Sequence, residues 1–208
     1  GWNPDRRPFR NSMTLDRQWC EETGSEDSNG RTLWALGVTA SEARAAKYRD
    51  WARMLFDETA EMSFGFGSPR ALAFAMLGAA AMLEAHPGHK LAGEMLDRFG
   101  GELLELLAEA RRPEWEWFET VLAYDNGRIP VALIRAGIRL QGVGPTQCGL
   151  VTLRWLNNSQ IAPAGHFRPV GSDSFGRHRE LPRPSDQQPV EVWAAIDAAA
   201  AAYDLTGD

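Results

Sequence analysis

Cysteine is scarce in this chain. Only Cys20 and Cys148 occur in 208 residues, far apart and without a Cys-x-x-Cys spacing, so neither a zinc site nor a disulfide framework is indicated and packed thiols are the expectation. Long apolar runs are also missing. No stretch reaches bilayer-spanning length, and the Arg- and Pro-rich N-terminal segment lacks the apolar centre of a signal peptide. No membrane partner is therefore expected, and cytoplasmic residence is the expectation that follows. Positive charge is in deficit, with a formal charge of −6 and a pI of about 5.3. The chain has no basic field for a polyanion, so nucleic acid is not an expected partner. Metal and phosphate signatures are absent too. His166 has no second His or Cys at ligand spacing, and Phe64-Gly65-Phe66-Gly67 is not followed by the Lys-Ser or Lys-Thr of a phosphate loop. Neither a metal nor another cofactor is expected.

What is plentiful is tryptophan, eight in all, several of them in polar stretches. Two polar strings also repeat one order of residues. Asp27-Ser28-Asn29-Gly30-Arg31 runs into Leu33-Trp34-Ala35-Leu36-Gly37, and Asp125-Asn126-Gly127-Arg128 runs into Val131-Ala132-Leu133-Ile134. Taken singly, each reads as an Asn-Gly turn with an Asp cap before a helix.

The apolar periodicity is helical throughout. Residues 1–30 form a polar entry segment with one helical turn expected around 13–20. Helices are expected over 31–37, over 41–62 with an amphipathic pattern, and over 69–85 with Ser68 as N-cap and Pro69 at the first position. The third helix is apolar nearly all round and must be buried on every side. A fourth carries Leu91, Met95, Phe99, Leu103 and Leu107 at i+4 spacing. Residues 113–127, with Trp115, Trp117, Phe118 and Leu122, fit neither period and read as an excursion. Further helices are expected over 129–140, 145–157 and 190–203, the last again nearly all apolar. A long Pro-, Gly- and Ser-rich loop over 158–186 holds Gly165-His166-Phe167 and Gly171-Ser172-Asp173-Ser174-Phe175-Gly176.

Apolar helices alternating with amphipathic ones predict an all-α fold of antiparallel hairpins in two layers. Residues 31–208 would then form one helical-hairpin domain. Short connections make successive helices antiparallel, so odd-numbered helices start at one end. Their starts, at 26–31, 67–70, 125–128 and 186–191, are expected on one rim.

These strings, with Trp117-Phe118-Glu119, Tyr124 and Gln187-Gln188-Pro189, resemble the (α/α)-toroid sugar-active enzymes of the six-hairpin type and the sugar epimerases. They look most like the helical region of bacterial proteins that go by the name of glycosyltransferases. A closed toroid has about twelve helices against roughly seven here, so the resemblance implies a fragment of a longer toroid or an open array. It implies an oligosaccharide or sugar as partner, and an attached glycosyltransferase domain as a second.

A sugar site requires carboxylates, amides and guanidiniums for hydroxyls, and flat aromatics for C–H faces. Glycosidic hydrolysis adds a pair of carboxyl groups. Asp125 and Asp27 are the expected pair, with Glu119 next, since each Asp has an Arg close by in sequence. Arg31, Arg70, Asn126, Arg128, His166, Gln187, Gln188 and Glu191 are candidate hydroxyl ligands. Trp115 and Trp117 are candidate platforms. Each has a structural counterpart: the arginines pair with local carboxylates, the indoles fill the core, and the glutamines and Glu191 serve the start of the last helix. The expected function is glycosidase-like hydrolysis or rearrangement of a sugar. A non-catalytic carbohydrate-binding accessory domain, a sugar epimerase and a helical scaffold are the alternatives.

Overall fold

The structure, a computed structural model, describes residues 1–171, 178–180 and 185–207. Among them every regular element is helical, and the chain gathers into two compact units, Gly1–Phe99 and Gly100–Asp208. Ser172 to Gly176 of the long-loop motif lie outside the described residues.

In the first unit, α1 spans Glu26–Glu42, beginning five residues before Arg31. Ser25 is the reason: its hydroxyl accepts from the Ser28 N–H at 3.2 Å and caps the helix there. Asn29-Gly30 is accordingly helical and not a turn. The Asn29 amide accepts from the Phe9 N–H at 2.7 Å and donates to the carbonyls of Phe9, Gly24 and Ser25, which ties the entry segment to α1. The helical turn expected over 13–20 does not form. Met13 and Trp19 pair in an isolated antiparallel bridge, and the Thr14 hydroxyl accepts from the Gln18 N–H, so local side-chain bonds replace helical ones.

Helix α2, Ala46–Thr59, buries Ala52, Leu55 and Phe56 and turns Tyr48, Trp51 and Met54 outward. It ends in a 3₁₀ segment, Ala60–Gly65. Helix α3, Pro69–Ala85, has the expected bounds and is buried at every position from Pro69 to Leu83. Its side chains Phe74, Met76, Leu77 and Met82 are each worth about 1.5–3 kcal/mol in burial. Helix α1 packs along α3.

The boundary between the units falls inside α4, Lys90–Ala110, whose Met95, Phe99, Leu103 and Leu107 are all buried as the i+4 line requires. In the second unit, residues 111–127 are an irregular excursion. Their aromatics form the core beneath it: Trp117 stacks on Trp155 at 5.9 Å and 25°, and Trp115 meets Trp155 edge-on at 5.0 Å. Helices α5 (Arg128–Leu140) and α6 (Val143–Ser159) form a tight pair, closed by Gln141 in the left-handed region.

Helix α7, Pro189–Thr206, packs on α5. Its apolar composition led to an expectation of burial on every side, and here the structure corrects the sequence. Only Glu191, Ala194 and Ala198 are buried, while Trp193, Ile196 and Tyr203 are exposed. The helix owes its apolar character largely to alanines, which supply helix propensity without bulk to bury.

Candidate functional site

The second polar repeat builds a buried polar cluster in the second unit. Asp125 takes a left-handed conformation, φ 52°, which Asp tolerates better than most side chains. The turn it makes closes through the Asp125 carbonyl, which accepts from the Arg128 N–H at 3.1 Å. The chain thereby enters α5 with Asp125, Asn126 and Arg128 all buried. Gly127 lets α7 approach this turn. A Cβ there would stand 2.5 Å from the Ala194 carbonyl oxygen.

From α7, Glu191 reaches back to the turn. The Asn126 side-chain amide donates to its carboxylate at 3.0 Å, and the Asn126 N–H does so at 3.3 Å. Arg128 lies between two carboxylates, its Nε bonded to Asp125 at 3.1 Å and one terminal nitrogen to Asp197. Above it sits the Trp193 ring, 4.0 Å from the guanidinium carbon. The starts of α5 and α7 are thus joined through four charged side chains, one amide and one indole.

Burial pushes the Glu191 carboxyl above the ordinary value of 4.5, and the neighbouring Asp125 charge adds to that. Hydrogen bonds from the Asn126 side chain and from the backbone of Asn126 and Asp125 act in the opposite sense without cancelling it. A carboxyl whose pKa burial raises, beside a carboxylate paired with arginine, sets two acidic groups in unlike surroundings, the kind of pair that acid–base chemistry uses.

The first unit repeats the pattern in outline. Asp27 pairs with Arg31 at 2.9 Å, and Arg31 lies over Phe74 of α3 at 4.1 Å. A Cβ on Gly30 would stand 2.7 Å from the Ala71 carbonyl. In both repeats, then, the glycine admits a partner helix, and the arginine lies beneath or against that helix's aromatic ring. The Glu26 carboxylate accepts from the Gly67 and Ser68 N–H groups at 3.0 and 2.8 Å, joining the start of α1 to that of α3. Arg70 is buried in the first turn of α3. The four polar starts therefore meet in two pairs, one within each unit.

Other expected site residues lie elsewhere. Trp115 and Trp117 are core residues, so neither has an open ring face for stacking. The Trp115 indole N–H donates to the Glu119 carbonyl at 2.6 Å, and the Glu119 residue is half-buried. His166 is exposed in the loop closed by the Ile161–Phe167 bridge. Gln187 is exposed and bridges Gly171 through the backbone, and Gln188 holds the N-cap position of α7 without a side-chain cap bond. Asp27 belongs to the first unit and Asp125 to the second.

Two members of the cluster, Trp193 and Asp197, were missed in the sequence. The i+4 spacing that puts them on one face was visible, but the apolar run around them read as core. Among the described residues no group of three or more His, Cys, Asp and Glu side chains is placed to hold a metal ion, and no helix is long and apolar enough to cross a membrane. Compared with known proteins, the chain matches no protein-family model, no curated protein and no solved structure.

Proposed function

We propose that the chain is a carbohydrate-active helical domain of the (α/α)-toroid type, cytoplasmic, with its working centre at the paired starts of α5 and α7. The observation that carries the reading is the pair of buried carboxyls at one joint: Glu191 of α7, bonded to the Asn126 amide at 3.0 Å, beside Asp125, which Arg128 engages at 3.1 Å. In a glycosidase-like step Glu191 protonates the leaving oxygen, and Asp125 acts as base or nucleophile with Arg128 fixing its orientation. The toroid layering is supported by the packing within each unit, where odd-numbered helices lie on one another, α1 on α3 and α5 on α7. The same layering would let the domain serve a larger sugar-transferring protein.

A second reading is a binding domain without turnover. The burial of Asp125, Asn126 and Arg128 favours it, because a reacting sugar must touch its acid and base. Incubating the protein with a panel of oligosaccharides and analysing products by mass spectrometry separates the two. Hydrolysis that is lost in both Glu191→Gln and Asp125→Asn supports the enzyme. Sugar binding with no product at any enzyme concentration supports the binding domain, and an isomer formed without cleavage points to an epimerase. Absence of both binding and turnover overturns the carbohydrate reading.

A further inference from the structure

Helix α4 starts at Lys90, and the residue before it, His89, closes its first turn. The ring Nδ1 accepts from the Ala92 N–H at 3.1 Å, one of the amides at a helix start that lack a partner within the helix. On the other side of the ring, Nε2 lies 2.7 Å from the Asp57 carboxylate of α2. A backbone N–H only donates and a carboxylate only accepts, so Nδ1 must be bare and Nε2 must carry the proton. These two partners together fix a neutral ring in one tautomer. The side chain is 12% exposed and meets the Phe56 ring edge-on at 6.0 Å.

Both ring nitrogens are engaged, so the imidazole is neither a free base nor open to a metal ion. It is a helix cap, and unlike the Ser25 and Ser68 hydroxyls that cap α1 and α3 it can take up a proton. An imidazolium carries N–H on both nitrogens. Its Nδ1–H would face the Ala92 N–H, donor against donor, at the positive end of the helix dipole. The Asp57 carboxylate, by contrast, holds a charged ring at least as well as a neutral one. A protonated ring can therefore keep Asp57 but not Ala92. The other charged and titratable groups of the surrounding segments are Arg53 and Glu58 of α2, Glu84 at the end of α3, His86, and Lys90 and Glu94 of α4, all exposed. Of these, Arg53 stands 3.9 Å from the second Asp57 oxygen.

We infer that His89 is a pH-operated cap of α4. With the ring neutral, the first turn is closed and tied to α2 through Asp57; with the ring protonated, the Ala92 N–H is released while the bond to Asp57 stays. The device lies wholly within the first unit and does not rest on the carbohydrate reading.

Nitrogen-15 NMR of the histidine rings, with amide hydrogen exchange of the intact protein from about pH 8 to about pH 5, tests it. His89→Asn and His89→Ala set the limits, since Asn caps without titrating and Ala does not cap. At the upper end the His89 ring should carry its proton on Nε2 alone, and the Ala92 amide should be protected as in His89→Asn. Through the titration of that ring, Ala92 protection should fall about two- to thirtyfold, to the His89→Ala level, while His89→Asn stays flat. Circular dichroism checks the fold at each pH. A proton on Nδ1 at the upper end overturns the cap, as does an Ala92 amide that ignores the His89 titration or follows that of His86. A His89 ring that stays neutral until the fold itself is lost overturns the switch.

Discussion

Gly127→Ala is the substitution that reaches the α5–α7 joint most directly. The backbone at Gly127 is ordinary right-handed, φ −58° and ψ −17°, so alanine is conformationally acceptable and the obstacle is space. Its Cβ would stand 2.5 Å from the Ala194 carbonyl oxygen and 2.8 Å from the carbonyl carbon. Ordinary contact begins at 3.4 Å, so α7 must withdraw by about 0.9 Å. A shift of that size carries the Asn126–Glu191 bond, now 3.0 Å, beyond hydrogen-bond length. Overpacking costs about 1–3 kcal/mol and the weakened bond to a buried carboxylate about 1.5–3 kcal/mol, against about 0.5–1 kcal/mol regained by replacing glycine. The net expectation is a loss of about 2–5 kcal/mol. Urea unfolding followed by tryptophan fluorescence measures it, with Gly93→Ala as control. A Cβ on Gly93 meets nothing within 4 Å, so that variant should gain about 0.5–1 kcal/mol. A Gly127→Ala protein within about 0.5 kcal/mol of wild type would refute the close-approach argument.

The other predictions concern pH, a thiol and the indole core. Folded Glu191 keeps its proton to higher pH than the unfolded side chain does, so its contribution to stability is complete below about pH 4.5 and is lost as pH rises through its raised value. Wild-type stability should therefore fall relative to Glu191→Gln above pH 4.5, by at most about 1.4 kcal/mol per pH unit, and parallel curves would contradict this. Burial pushes the Cys148 thiol up to about 11, with Glu116 adding and Arg111 opposing. In a Cys20→Ser background its alkylation at pH 8 should run roughly a hundredfold slower than that of an ordinary thiol, and rates matching a free thiol would count against the burial. Trp117 is fully buried, and its indole N–H has no hydrogen-bond partner among the described residues. Trp117→Ala should cost about 3–5 kcal/mol in urea melts and Trp117→Phe under about 2 kcal/mol. Similar losses in both would indicate that the N–H is satisfied after all.

How much of this was legible depended on whether the signal was local. Helix α3 was readable to the residue because Ser68, Pro69 and an uninterrupted apolar run each mark it independently. The pairing of the Asp125 turn with Glu191 was legible through helix parity, which brings the starts of alternate helices together. The start of α1 was not, because Glu26, Asp27 and Ser28 add no apolar period and the signal was the single hydroxyl of Ser25. Trp115 and Trp117 looked like surface indoles among glutamates. What buries them is Trp155, some forty positions on, and no local pattern contains that. Trp193 failed in the opposite sense, since an apolar sequence fixes that a helix is apolar and not which of its sides is covered.

The central claim is that the α5–α7 joint is where a carbohydrate is met. Recording the indole N–H resonances of the eight tryptophans by ¹⁵N NMR, while neutral hexasaccharide is added, tests it most directly. The resonance missing from Trp193→Phe should move with sugar concentration, together with the backbone amides from Asp125 to Arg128. Saturable shifts at other indoles, with Trp193 and the Asp125 turn unmoved, would place the sugar elsewhere and contradict the account.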